Sequence, residues 1–148
     1  MAQHLLGENT LIDLCYKDTP AAHWLATGVL PYDLYTSVIA VAAARETIRA
    51  MAGSAQHANI LENQFDQVIT RLTKGGMLIL PFEKDDAEAW VGWRSHSLKV
   101  VRGKTLHEVG QDTRMIIATA QRGAFELVEP DEHYHAELRS LRMMVRSL

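Results

Sequence analysis

His4-Leu5-Leu6-Gly7-Glu8-Asn9-Thr10-Leu11-Ile12-Asp13-Leu14 is the stretch whose reading decides the fold. His4 to Leu6 read as a short buried strand, and Gly7 turns the chain. The apolar spacing beyond it predicts a helix from about Asn9 to residue 16, with Asn9 suited to cap it. A strand passing at once into a helix is the opening of a crossover unit. The question is whether the same alternation continues.

It does. Thr19-Pro20 is a helix start, combining a capping hydroxyl with a proline where no amide donor is needed, and Gly28 is a stop. Residues 34–39, rich in β-branched and aromatic side chains, predict a strand. An alanine-rich helix follows over 40–51. A longer one carries Ile60, Leu61, Phe65, Val68, Ile69 and Leu72 on one stripe and breaks at Gly75-Gly76. Residues 77–80 read as a central strand ending at Pro81. Helices are expected over about 85–102 and over 112–122, then a strand over 125–128 and a final helix over 131–148.

Strands separated by helices need crossover connections, so the class is α/β, with a largely parallel sheet and helices on both faces. In such sheets functional groups gather beyond the carboxyl ends of the strands. Four places follow: around Gly7, the start of the helix at 40, the loop after Pro81 and the turn after Val128.

Bulk composition narrows the class of function. The chain has 148 residues, 47% hydrophobic and 22% charged, which suits one globular domain over residues 1–148 and argues against disorder. One cysteine, Cys15, allows no intrachain disulfide. No apolar run reaches the ~20 residues of a membrane span, and Met1-Ala2-Gln3-His4 does not begin a signal peptide, so a cytoplasmic protein is expected. A net charge of −3 argues against coating nucleic acid by bulk electrostatics. A local basic groove is still conceivable: Arg94, Lys99, Arg102 and Lys104 form a dense stretch and are the candidate nucleic-acid contacts. Arg139, Arg142 and Arg146 line the last segment. A solvated helix face is the plainer reading of both.

Several motifs fail on their own terms. Gly103-Lys104-Thr105 resembles the end of a phosphate-binding loop, but Leu98 stands where its first glycine belongs and no strand precedes it. Cys15 reads as a structural thiol. Asp131-Glu132-His133-Tyr134-His135 gathers acids and histidines, yet its two histidines would fall on different helix faces. Acids at a helix start are also what the helix dipole favours.

Five short stretches, in order along nearly the whole chain, resemble the PIN domains of VapC-type toxins. They are 4–14; Ser37-Val38-Ile39 through Arg45; Pro81-Phe82 with Ala87-Glu88-Ala89; Met115-Ile116-Ile117-Ala118-Thr119-Ala120; and Gly123-Ala124 with Leu127-Val128. The resemblance implies a metal-dependent ribonuclease, homodimeric and held inactive by an antitoxin partner. A cluster of carboxylates would bind Mg²⁺ or Mn²⁺, and the ions would activate water.

Here the acids are mostly missing from those positions. Gly7 stands where the first aspartate belongs, Ala43 replaces the helix glutamate and Thr113 the third aspartate. Asp131 alone matches, at the fourth acidic position. Glu129 stands where a threonine or serine is usual. Glu8, Glu46 and Asp112 are neighbours that could substitute, Glu46 best because i and i+3 share a helix face. The favoured expectation is a degenerate VapC-like protein without a metal cofactor, acting as a binding or regulatory module for RNA or an antitoxin-like protein. The alternative is a working Mg²⁺- or Mn²⁺-dependent ribonuclease using Glu8, Glu46, Asp112 and Asp131.

Overall fold

A computed structural model describes residues 3–148; Met1 and Ala2, part of the N-terminal reading above, lie outside them. Five parallel strands form the sheet: β1 (His4–Leu6), β2 (Leu34–Ser37), β3 (Leu78–Leu80), β6 (Glu126–Glu129) and β7 (Val145–Ser147), in the order β3-β2-β1-β6-β7. Helices α1 (Glu8–Asp13), α2 (Pro20–Leu25), α3 (Val38–Met51), α4 (Ala55–Gly75), α5 (Lys84–Trp93), α6 (Gln111–Arg122) and α7 (His135–Ser140) flank it on both faces. The α/β class and the parallel sheet with helices on both sides are thus as the sequence predicts. Among the described residues no helix is long and apolar enough to cross a membrane.

β1 is the central strand because it can be dry on both faces: Leu5 and Leu6 are fully buried, as are Leu34, Leu127 and Val128 alongside. The caps follow the local chemistry. Thr19 Oγ1 accepts from Ala22 N at 3.2 Å, and Ser37 Oγ from Ala40 N at 3.0 Å. The second cap starts α3 at Val38, so the strand predicted to reach residue 39 ends at Ser37.

Three expectations are corrected. The run 77–80 is not central: β3 lies at the sheet's edge, with Leu78 56% and Ile79 40% exposed. Apolarity alone does not separate a central strand from an edge one. The helix expected over 85–102 ends at Trp93. Residues beyond it form an antiparallel hairpin of β4 (Lys99–Arg102) and β5 (Thr105–Glu108), apart from the main sheet. Its two-residue turn, Gly103-Lys104, has φ +65° at the glycine, the conformation a type II′ hairpin turn demands at that place. The helix expected over 131–148 is only α7. Arg142 takes a left-handed φ of 66°, and the chain returns as β7 against β6. That strand occupies the edge β6 would otherwise expose.

The chain builds leftward from β1 through β2 to β3, then rightward through β6 to β7. The switch point therefore lies between β1 and β6, where Gly7 and Glu129 stand side by side.

Candidate functional site

Gly7 has φ −81° and ψ 178°, extended backbone open to any residue. Its need for glycine is spatial. A Cβ built there would overlap the carboxyl group of Glu129. Gly7 N donates to Val128 O at 3.1 Å, fixing β1 and β6 in register, and the Glu129 side chain then fills the volume a Gly7 side chain would have taken. Thr10 N donates to Glu129 Oε1 at 2.9 Å and Asn9 Nδ2 to Oε2 at 3.2 Å. Both donors are neutral. Glu129 is 4% exposed, and burial pushes its carboxyl up to about 8, opposed by the Thr10 and Asn9 hydrogen bonds and aided by the charge of Glu8. Burial thus favours the neutral carboxylic acid over the carboxylate.

Next to this buried acid is a cavity of about 570 Å³, with Glu8, Thr47, Arg102, Asp112, Glu132 and Tyr134 among its lining residues. Glu8 begins α1, and Thr47 Oγ1 on α3 donates to its Oε2 at 3.5 Å. Burial foremost, then the charges of Asp112 and Glu46, raise the Glu8 carboxyl above its ordinary range. Burial, and after it Glu129, Glu132 and Glu8, push the Tyr134 phenol well above its usual value.

Of the acids proposed from sequence, Glu8 and Asp112 line the cavity. Glu46 influences Glu8 through its charge but does not line it. Asp131 is outside: its side chain is 79% exposed, with Oδ1 4.0 Å from His135 Nδ1, and its neighbour Glu132 faces in instead. At the other substituted positions, Thr113 lines the cavity and Ala43 is buried. His135 is also buried, with Nδ1 2.7 Å from Ser147 Oγ, so it ties α7 to β7. Cys15 is half-buried, its thiol 3.7 Å from Leu11 O.

The four basic candidates scatter over the hairpin and its approach. Lys99 Nζ is 2.7 Å from Glu108 Oε1, and Arg102 donates to Glu132 Oε1 at 3.2 Å. Arg94 lies over the Trp90 ring at 5.7 Å. Lys104 is exposed in the hairpin turn and forms no ion pair among the described residues. Half of the basic stretch is thus engaged by the chain's own glutamates.

The fold implies a carboxylate-bound divalent ion, and the residues present do not fit one. Such an ion needs several oxygens at ~2.0–2.6 Å. Among the described residues no group of three or more His, Cys, Asp or Glu is arranged to hold a metal. Glu129, which fills the place of the first acid, is absent from the cavity lining and gives its oxygens to Thr10 and Asn9. Reading the sequence missed Glu129 and Tyr134 as site positions. The signal for Glu129 was a paired departure from the PIN pattern: a lost side chain at Gly7 and a gained one at Glu129.

No protein-family model matches the sequence, and no curated protein matches it. Solved structures do. FitAcB from Neisseria gonorrhoeae superposes with a TM-score of 0.67 at 23% identity, covering 96% of this chain and 95% of its own. A toxin–antitoxin complex from Klebsiella pneumoniae gives 0.65 at 19% identity, covering 97% and 96%. VapBC2 from Rickettsia felis, bound to a DNA fragment from its promoter, gives 0.63 at 13% identity, covering 98% of both chains. The fold is that of the PIN/VapC toxins. At these identities the likeness extends to the fold, and among the described residues no acidic cluster is arranged to complete a metal site.

Proposed function

We propose that this VapC-like chain is a non-cleaving binding module whose partner is a polypeptide of the antitoxin kind. One observation carries the reading. The space of the first acid is filled by a buried glutamate side chain held by neutral donors, so the group that would anchor a metal ion is turned inward, where burial favours its neutral form. The open acids of the cavity, Glu8 and Asp112, repel phosphate, which favours a protein partner over RNA. The similar structures include toxin–antitoxin assemblies, which agrees with that choice. RNA contacts, if made, would fall on Arg94 and Lys104.

The alternative, a ribonuclease with displaced acids, draws on Glu8, Asp112 and Glu132 sharing one cavity. Melting the protein with EDTA, Mg²⁺ and Mn²⁺, alongside a single-stranded RNA cleavage assay, separates the two. The binding-module reading expects one melting temperature and intact RNA. A Mn²⁺-dependent rise in melting temperature with cleavage, both lost in Asp112→Asn, establishes the alternative.

A further inference from the structure

We propose that the free edge of β5 is a self-association surface, on which two copies of this chain pair β5 to β5 antiparallel and join their hairpins into one four-stranded ribbon.

The strands β4 and β5 pair only with each other, apart from the main sheet. Val109 N donates to Leu98 O at 2.9 Å, which fixes the phase of their ladder. Thr105 and His107 bond inward to β4, and Leu106 and Glu108 turn their amides and carbonyls outward. Those outward groups have no backbone partner among the described residues. The opposite edge is partly closed by the hairpin's own side chain, since Arg102 Nη1 donates to Val101 O at 2.8 Å. All four residues of β5 are exposed, and neither a proline nor a bulge guards the strand. A two-stranded ribbon is marginal alone, and added strands stabilise it.

The side chains specify a second copy as the occupant. Leu106 faces Val101 across the hairpin, and the two are 53% and 46% exposed. The outward groups allow Leu106 to pair with the partner's Leu106, on a two-fold axis, or with the partner's Glu108. The first register extends the Val101–Leu106 pair into one apolar stripe across four strands and brings Lys104 beside the partner's Glu108. The second sets a carboxylate against leucine twice. Lys104 forms no ion pair among the described residues, and the Glu108 carboxylate stays half exposed beside Lys99 and Arg114. The edge of β3 also exposes Leu78 and Ile79, but that strand carries no charge to set a register. Pairing of four-residue strands is smaller than a stable interface needs, so association is weak, with Kd on the order of 0.1–1 mM. Because β4 supplies Val100 and Arg102 to the cavity wall, the ribbon carries both cavities in one particle.

Amide exchange and sedimentation velocity on the full chain, at ~10 µM and ~1 mM, test the pairing. The Leu106 and Glu108 amides should exchange about 2-fold to 5-fold more slowly at the higher concentration. Leu106→Lys, at an exposed position where the fold is not at stake, should weaken association at least ~10-fold, and Lys104→Glu about 3-fold. In a Cys15→Ala background, Leu106→Cys should oxidise to a disulfide-linked dimer, since such a pair holds its Cα atoms ~5.5 Å apart. Val101→Cys, a strand farther from the axis, should not. Exchange at Leu106 and Glu108 that ignores concentration, or a Leu106→Cys variant that stays monomeric under oxidant, overturns the inference. So does association lost in Ile79→Lys but kept in Leu106→Lys. An extended peptide of alternating threonine and valine that slows the same two amides as much as a second copy does also overturns it, and makes the edge a site for a foreign strand.

Discussion

Glu108 closes the hairpin strand β5 and lines the cavity, while Glu129 closes the core strand β6 and is buried outside that lining. Lys99, Leu98 N, Ser97 and Arg114 all donate to Glu108, and its carboxyl is held down to about 2. Glu129 receives the neutral donors Thr10 and Asn9, and burial lifts it to about 8. The difference shows that a carboxylate's charge depends on its partners more than on its place in a strand. A metal-dependent site needs ionised acids that converge; this molecule has placed its ionised acid among its own cations and its central acid in a protonated pocket.

The comparison is broken most forcefully by pH. An acid whose folded pKa is raised stabilises the fold fully below its unfolded value, and that stability is lost as pH rises through the folded value. Glu129 should therefore cost stability progressively between about pH 4.5 and 8, reaching on the order of 5 kcal/mol at the alkaline limit. Urea unfolding across that range should show the decline, and Glu129→Gln, a permanent neutral mimic, should flatten it. An unchanged slope in the variant would mean Glu129 is ionised and the contrast with Glu108 is false.

A smaller effect tests the exchange of space. Gly7→Asp places atoms where the Glu129 carboxyl lies and should cost about 2–3 kcal/mol in urea unfolding. Adding Glu129→Thr should recover most of the loss. Restoring the acids at Gly7, Ala43 and Thr113 without also replacing Glu129 should accordingly give a poorly folded protein rather than a nuclease. If Gly7→Asp alone were neutral, the two positions would not be coupled.

Glu108 sharpens the other side. Its folded pKa is depressed, so its contribution is present above the unfolded value and lost as pH falls from about 4.5 through about 2. Glu108→Gln should lower stability in urea unfolding most above about pH 5, and the difference from the parent should shrink as pH falls toward 2. The smallest effect belongs to Asp131→Asn. With that side chain outside the cavity and largely in solvent, the change should stay within ~0.5 kcal/mol in urea unfolding. A larger loss would bring Asp131 back into the site.

The sequence by itself determined the alternation of strand and helix and hence the parallel sheet. Period and punctuation are local properties: the turn at Gly7, the Thr19-Pro20 start and the stripe along α4 are each legible within a few residues. It also showed that Gly7, Ala43 and Thr113 carry no acid. Local pattern misled where a distant partner decided the outcome. The last segment has helical spacing at Leu138, Leu141, Val145 and Leu148, yet the open edge of β6 drew residues 145–147 into a strand. The stretch at 99–108 became a hairpin whose base is held by Arg114, which reaches the Trp93 and His96 carbonyls and Glu108 Oε2. Only the tertiary structure placed Glu129 in the space beside Gly7, because that contact joins residues far apart in sequence, as the Asn9–Glu129 hydrogen bond across 120 positions does. The charge of a buried acid is set by the atoms around it, and folding chooses those atoms.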